Sequence, residues 1–158
     1  VTNATKEDQV GTRLRSLNQR LATAESCSGG LIAHRITNVA GSSDYFAGGV
    51  VTYANDAKIA LLGVKTETLF SQGAVSDATA RQMCEGVRAR FGVDYGVACT
   101  GIAGPGGGSP EKPVGLVYIG VASPGGTRVE KCEFQGDRMS IKQQTADHAL
   151  ALLLESLG

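Results

Sequence analysis

Apolar residues along the first part of the chain repeat with a helical period and then give way to a strand. Val10, Leu14, Leu17 and Leu21 fall on one face of the stretch Thr5 to Arg20. Thr5 can cap that helix, and Asp8 sits three residues later near its positive end. Residues 21–26, LATAES, read as a short and largely apolar strand that runs into the polar cluster ESCSGG. Beyond Gly29-Gly30, Leu31, Ile32, Ile36 and Val39 mark a second helix. A turn and a β-rich run from Tyr45 to Tyr53 follow. Asn55 is a candidate cap for a helix that carries Lys58 towards Leu62 and stops at Gly63.

Ser76 and Asp77 open a stronger helix with Ala80, Met83, Cys84, Val87 and Phe91 on one side. Residues 94–101, DYGVACTG, have the length and apolar character of a strand. The stretch 102–113 is too rich in glycine and proline for regular structure. Residues 114–123 and 127–135 read as a hairpin joined by Pro124-Gly125-Gly126, and a last helix starts at Asp137. Helices alternating with strands before a terminal hairpin imply an α/β fold. The expectation is a single three-layer domain spanning 1–158, with a mixed β-sheet covered by helices.

Composition narrows the function. The 158 residues suit one domain with a real core, and 42% hydrophobic against 19% charged residues excludes a disordered chain. Fifteen Lys+Arg balance fifteen Asp+Glu, so no basic excess suggests nucleic acid as a partner. Cys27, Cys84, Cys99 and Cys132 are scattered, with no C-x-x-C pair, and His34 and His148 lie mid-helix. No metal site is expected, and the cysteines read as small buried residues. The first ten residues lack the apolar core of a signal peptide, and no apolar run reaches ~18 residues, so neither a membrane nor secretion is expected. The expected location is cytoplasmic. Twenty-two glycines are about twice the usual share.

Candidate chemistry clusters where strands are expected to end, the usual place for ligands in α/β sheets. The segments are Glu25 to Gly30 (ESCSGG), Gly41-Ser42-Ser43, and Cys99-Thr100-Gly101. ESCSGG ahead of a helix suits an oxyanion or phosphate cradle as well as a simple cap and tight turn. P-loop, G-x-G-x-x-G and G-x-S-x-G patterns are all missing from the chain. The run Gly104-Pro105-Gly106-Gly107-Gly108 follows a strand end and is expected to face a ligand. Most helical lysines are merely solvated, but Lys58 lies between Ala57 and Ile59. Held in an apolar pocket it could act as a general base towards a serine. Cys27 could be a thiolate at a helix start, or a packing residue. Asp137 reads as an N-cap, with Arg138 placed to reach an anion.

Taken together, AESCSGG, GSSDYFAGGVVTYANDAK, ACTGIAGPGGG and FQGDR, in this order and spacing, resemble the CinA carboxy-terminal domain family. The resemblance runs from about Leu14 to the end, and points to the stand-alone amidohydrolase form without the amino-terminal domain of longer CinA proteins. It implies hydrolysis of nicotinamide mononucleotide to nicotinic acid mononucleotide and ammonia, within pyridine-nucleotide recycling. It further implies a homodimer acting on this small-molecule substrate, with no cofactor and no metal. Carried onto matching positions, Ser43 is the implied nucleophile and Lys58 its base, with Ser26 a rival serine beside the same motifs. Ser26, Tyr53, Thr100, Gly101 and Arg138, with Gly29, Gly30 and Gly106, form the implied substrate-binding set. Lys142 stands where the family pattern leads one to expect arginine. The alternative function is a catalytically silent nucleotide-binding module or a competence-related accessory domain.

Overall fold

The computed structural model describes residues 4–158. It is a three-layer α/β domain around one five-stranded sheet. The elements run α1 (Lys6–Leu17), β1 (Leu21–Glu25), α2 (Leu31–Thr37), a single 3-10 turn (Ser42–Asp44) and β2 (Phe46–Val51). Then come α3 (Asn55–Leu62), α4 (Thr66–Gln72), α5 (Asp77–Phe91), β3 (Tyr95–Gly101), β4 (Leu116–Ser123), β5 (Gly126–Glu133) and α6 (Arg138–Ser156). The strand order is β2-β1-β3-β4-β5. β1 runs parallel to both β2 and β3, and the other pairs are antiparallel.

The helix ends follow local chemistry. Thr5 and Asp8 exchange side-chain and backbone hydrogen bonds in a capping box at the start of α1. Ser76 and Asp137 cap α5 and α6 through their side-chain oxygens. Asn55 was the expected cap of α3, but Ala54 occupies that position and makes no side-chain bond, so Asn55 is the first helical residue. The seven-residue α4 was not expected at all.

The two faces of the sheet differ in bulk. Leu21, Tyr95, Val97, Val117, Ile119 and Val121 point to the layer of α1, α2 and α6, where they meet Val10, Leu14, Ile36, Ile141 and Leu150. Ala22, Ala24, Ala98 and Ala122 point to the other layer and meet Leu62, Met83, Cys84 and Val87. Period-two alternation of large and small residues along each strand produces this split. It lets α5 sit close: a Cβ added at Gly96 would lie 2.2 Å from the Cys84 carbonyl oxygen.

β1 is flanked by the strand that follows it on one side and by β3 on the other. The chain leaves β1 through α2 on one face and leaves β2 through α3–α5 on the opposite face. The carboxyl ends of β1 and β3 therefore border a topological switch point, where α/β sheets leave a crevice.

Candidate active site

Strand parity sends the two last residues of the β1 run in opposite directions. Glu25 continues the face of Leu21 and points towards α2, whereas Ser26 turns to the face of α3. Ser26 stays anchored because its N–H donates to the Cys99 carbonyl oxygen at 3.1 Å. On α3, Lys58 and Leu62 are the buried positions, one turn apart, so the lysine side chain enters the protein. Lys58 is 1% exposed.

Its Nζ lies 3.1 Å from Ser26 Oγ, 2.7 Å from the Thr52 carbonyl oxygen and 3.3 Å from that of Tyr53. Among the described residues no carboxylate pairs with this amine. Desolvation by burial pushes the Lys58 pKa below the ordinary lysine value, with the neighbouring Cys99 and Cys27 pulling the other way. A neutral amine has two N–H bonds and one lone pair. Here the amine donates to all three oxygens; once neutral it keeps N–H bonds for the two carbonyls, and the Ser26 hydroxyl can turn its proton to the lone pair.

A cavity of about 200 Å³ opens onto this pair, lined by Ser26, Cys27, Tyr53, Asn55, Lys58 and Thr100 together with Ala74, Val75, Gly101 and Ala103. Thr100 Oγ1 donates to the Ala74 carbonyl oxygen at 2.7 Å, which fixes the α4–α5 connection as one wall. Across the mouth, Arg138 Nη2 donates to Tyr53 Oη at 2.8 Å and Nη1 to the Gly104 carbonyl oxygen at 2.7 Å. Larger surface grooves exist, one of about 620 Å³ along α6 between Arg35 and His148. That groove holds no serine or cysteine, and among the described residues the serines of the other larger grooves, Ser123 and Ser28, have no lysine partner, so the smaller cavity with its Ser26–Lys58 pair is the candidate site.

Several expectations need correction. Ser43 is exposed on the turn before β2, while Lys58 lies beyond the other end of that strand. Six strand residues at ~3.3 Å each separate them by about 20 Å, so within one chain Ser43 does not meet Lys58. The Gly41-Ser42-Ser43-Asp44 segment instead anchors α1: Arg15 donates to Asp44 Oδ2 and to the Gly41 carbonyl oxygen.

The expected anion cradle at Gly29-Gly30 is filled from within. Glu25 accepts the Gly30, Ile32 and Ala33 N–H groups, and the Gly29 N–H goes to the Ser26 carbonyl. Gly106 lies on the exposed part of its loop, and only Gly101 and Ala103 at the loop's base reach the cavity. Cys27 is not a thiolate: its hydrogen bond with Cys99 and its burial push the thiol well above the ordinary range. His34 is exposed, and His148 bonds Glu130 at 2.7 Å on the outer face of α6.

Sequence reasoning missed Ala74, Val75 and the Glu25 carboxylate. The parity of β1 is the one signal that could have flagged Glu25, by placing a carboxylate beneath the start of α2. Among the described residues, no three His, Cys, Asp or Glu side chains group as metal ligands would, and no helix is long and apolar enough to cross a membrane.

Comparison with known proteins agrees with this architecture. A "Putative competence-damage inducible protein" of Moorella thermoacetica is 54% identical over 153 residues, which is 97% of this chain and 37% of that protein. A "CinA-like protein" of Kosmotoga olearia is 48% identical over 151 residues, 96% of this chain and 37% of that protein. The chain thus spans little more than a third of these curated relatives. The crystal structure of competence/damage inducible protein CihA from Agrobacterium tumefaciens superposes with a TM-score of 0.92 at 43% identity, covering 98% of this chain and 97% of that one. A CinA superfamily protein from Klebsiella pneumoniae gives 0.92 at 33% identity, with 98% of each chain covered. The model of the CinA C-terminal domain matches residues 3–157, and the chain belongs to that family.

Proposed function

We propose that the domain is an amidohydrolase that cleaves the carboxamide of nicotinamide mononucleotide, with Ser26 as nucleophile and Lys58 as general base. One observation carries the reading: a serine hydroxyl 3.1 Å from a buried lysine amine, at the wall of a cavity. Lys58 takes the Ser26 proton as Oγ attacks the carboxamide carbon. It then passes that proton to the leaving nitrogen, so that ammonia departs and an ester remains on Ser26. Water, deprotonated by the same amine, cleaves the ester to release the carboxylate product. Asn55 is the lining residue whose side-chain N–H groups suit the tetrahedral oxyanion.

The choice of substrate rests on the family resemblance and is compatible with size. A cavity of about 200 Å³ is below the usual range for a whole ligand and admits only the carboxamide-bearing ring. Ribose and phosphate then extend to the mouth, where the Arg138 guanidinium can exchange its Tyr53 and Gly104 partners for a phosphate.

The test is ammonia release from nicotinamide mononucleotide. Ser26→Ala and Lys58→Ala are expected to lose at least about 10³-fold in kcat, whereas Ser43→Ala stays within about threefold. Full activity in Ser26→Ala removes the mechanism. No turnover by the wild-type chain removes the substrate assignment, and ligand-induced stabilisation without product would then favour a silent nucleotide-binding module.

A further inference from the structure

Glu25 is 1% exposed and lies outside the reacting pair, yet it has more partners than any other carboxylate near the cavity. Its Oε1 accepts from the Ser28 hydroxyl, from the Gly30 N–H at 3.2 Å and from the Ile32 N–H at 2.9 Å. Its Oε2 accepts from the Ala33 N–H at 3.0 Å. All four partners are donors, and no Lys or Arg side chain reaches it among the described residues. The carboxylate therefore serves as the anion for the first turn of α2, supplied by the chain itself.

Two threads run from this residue to the Ser26–Lys58 pair. Its side chain ties down residues 28–33, which closes the turn that begins at Ser26. Its backbone carbonyl accepts the Thr52 N–H at 2.8 Å, and the Thr52 carbonyl in turn holds Lys58 Nζ. We infer that Glu25 is a positioning residue for the reaction, whose carboxylate clamps the 26–33 turn so that the Ser26 hydroxyl stays aimed at the Lys58 amine. This rests on the amidohydrolase reading above.

Glu25→Gln keeps the size but sets an NH2 group against one of the N–H donors. A misaimed nucleophile loses rate rather than affinity, and a displacement near 1 Å costs on the order of 10²-fold. Below the variant's unfolding temperature, the expected result is a kcat lower by about 30- to 100-fold with KM within about threefold. The pH limb set by Lys58 should keep its position, because the carbonyls that hold the amine are untouched. Unchanged kcat in folded Glu25→Gln overturns the inference by leaving only a structural role. A vanished limb overturns it too, since the Lys58 amine would then no longer set the pH dependence.

If Glu25→Gln fails to fold, Ser28→Ala removes one donor and keeps the carboxylate. A kcat loss of about 3- to 10-fold at constant KM is expected, and no loss overturns the inference. Labelling of Ser26 by a fluorophosphonate probe separates the two proposals. Wild type that labels faster than Glu25→Gln but releases no ammonia sinks the substrate and keeps the clamp. Equal labelling rates sink the clamp.

Discussion

Lys58 is held by three oxygen acceptors with no carboxylate partner among the described residues, and its burial has a cost that depends on pH. Desolvation lowers its pKa in the folded chain, whereas in the unfolded chain it titrates near the free value of about 10.4. Between those two values the unfolded chain binds more protons, so this residue's contribution to stability rises with pH; below the folded value its penalty is complete. Lys58→Met removes the titration. Its melting temperature relative to wild type should be highest at low pH and fall steadily as pH approaches 10; a difference independent of pH would contradict the assignment. In wild type, kcat should climb with pH along a single limb whose midpoint lies below that of a free lysine.

At this scale the sequence was legible in part. Lys58 stood out because a lysine between Ala57 and Ile59 has apolar neighbours. The partner serine did not, since Ser26, Ser42 and Ser43 all sit in glycine-hydroxyl clusters and only the path of β2 separates them. Glycine was ambiguous for the same reason. Of the glycines that looked like space for a ligand, some are space for the protein: a Cβ at Gly101 would lie 2.8 Å from the Leu116 carbonyl oxygen, whereas one at Gly106 would meet nothing within 4 Å.

Among elements, the packing of α5 on α3 has the least room. A Cβ at Gly86 would lie 2.0 Å from the Leu62 carbonyl oxygen, and backbone cannot yield as a side-chain tip can. Helix propensity alone favours Gly→Ala by about 1 kcal/mol. Overpacking opposes it by about 1–3 kcal/mol, and α3 would be pushed outward together with Lys58. Gly86→Ala should therefore lower the urea midpoint and reduce kcat at once; a more stable variant would show that the contact relaxes freely. Strong amphipathic periods made α1 and α5 readable, and the Pro-Gly turn gave the β4–β5 hairpin. α4 was hidden because TETLFSQ has two large apolar residues and Phe70 is 93% exposed, so no buried stripe marks the helix. Only its docking above α5 reveals it: the Gln82 amide donates to Thr68 Oγ1 at 2.8 Å.

Across the whole molecule, one ionic cluster joins the helical layer that faces away from α5. Arg35 of α2 makes two bonds of 2.9 Å to Glu7 of α1 and one of 3.3 Å to Asp147 of α6, which also pairs with Lys6 at 3.0 Å. The hydrogen bonds from Arg35 hold Glu7 down at about 2, below its ordinary 4.5. A depressed carboxylate contributes stability that is present above its unfolded value and lost as pH falls through the folded one. Arg35→Gln should then cost about 2 kcal/mol at pH 7, and the gap to wild type should close between pH 4.5 and 2. Urea titrations of both chains across that range are the check, and a gap that persists at pH 2 would point to lost packing instead. The overall architecture was the most legible level, because alternation and helical period act over many residues at once. The pairing of Arg35 with Glu7 was not, since it depends on how three distant helices come to rest on one sheet.

The opposite headings of Glu25 and Ser26 make β1 a counting device with only two readings, odd and even. The proposed clamp and the proposed nucleophile are adjacent in the chain, and each faces a different layer. A strand offers no intermediate setting, so the site cannot drift gradually along β1. Gain or loss of one residue within the strand would exchange the two roles in a single step, delivering a carboxylate to the lysine and a hydroxyl to the helix start. The length of β1 is therefore as much a part of the site as any side chain in it.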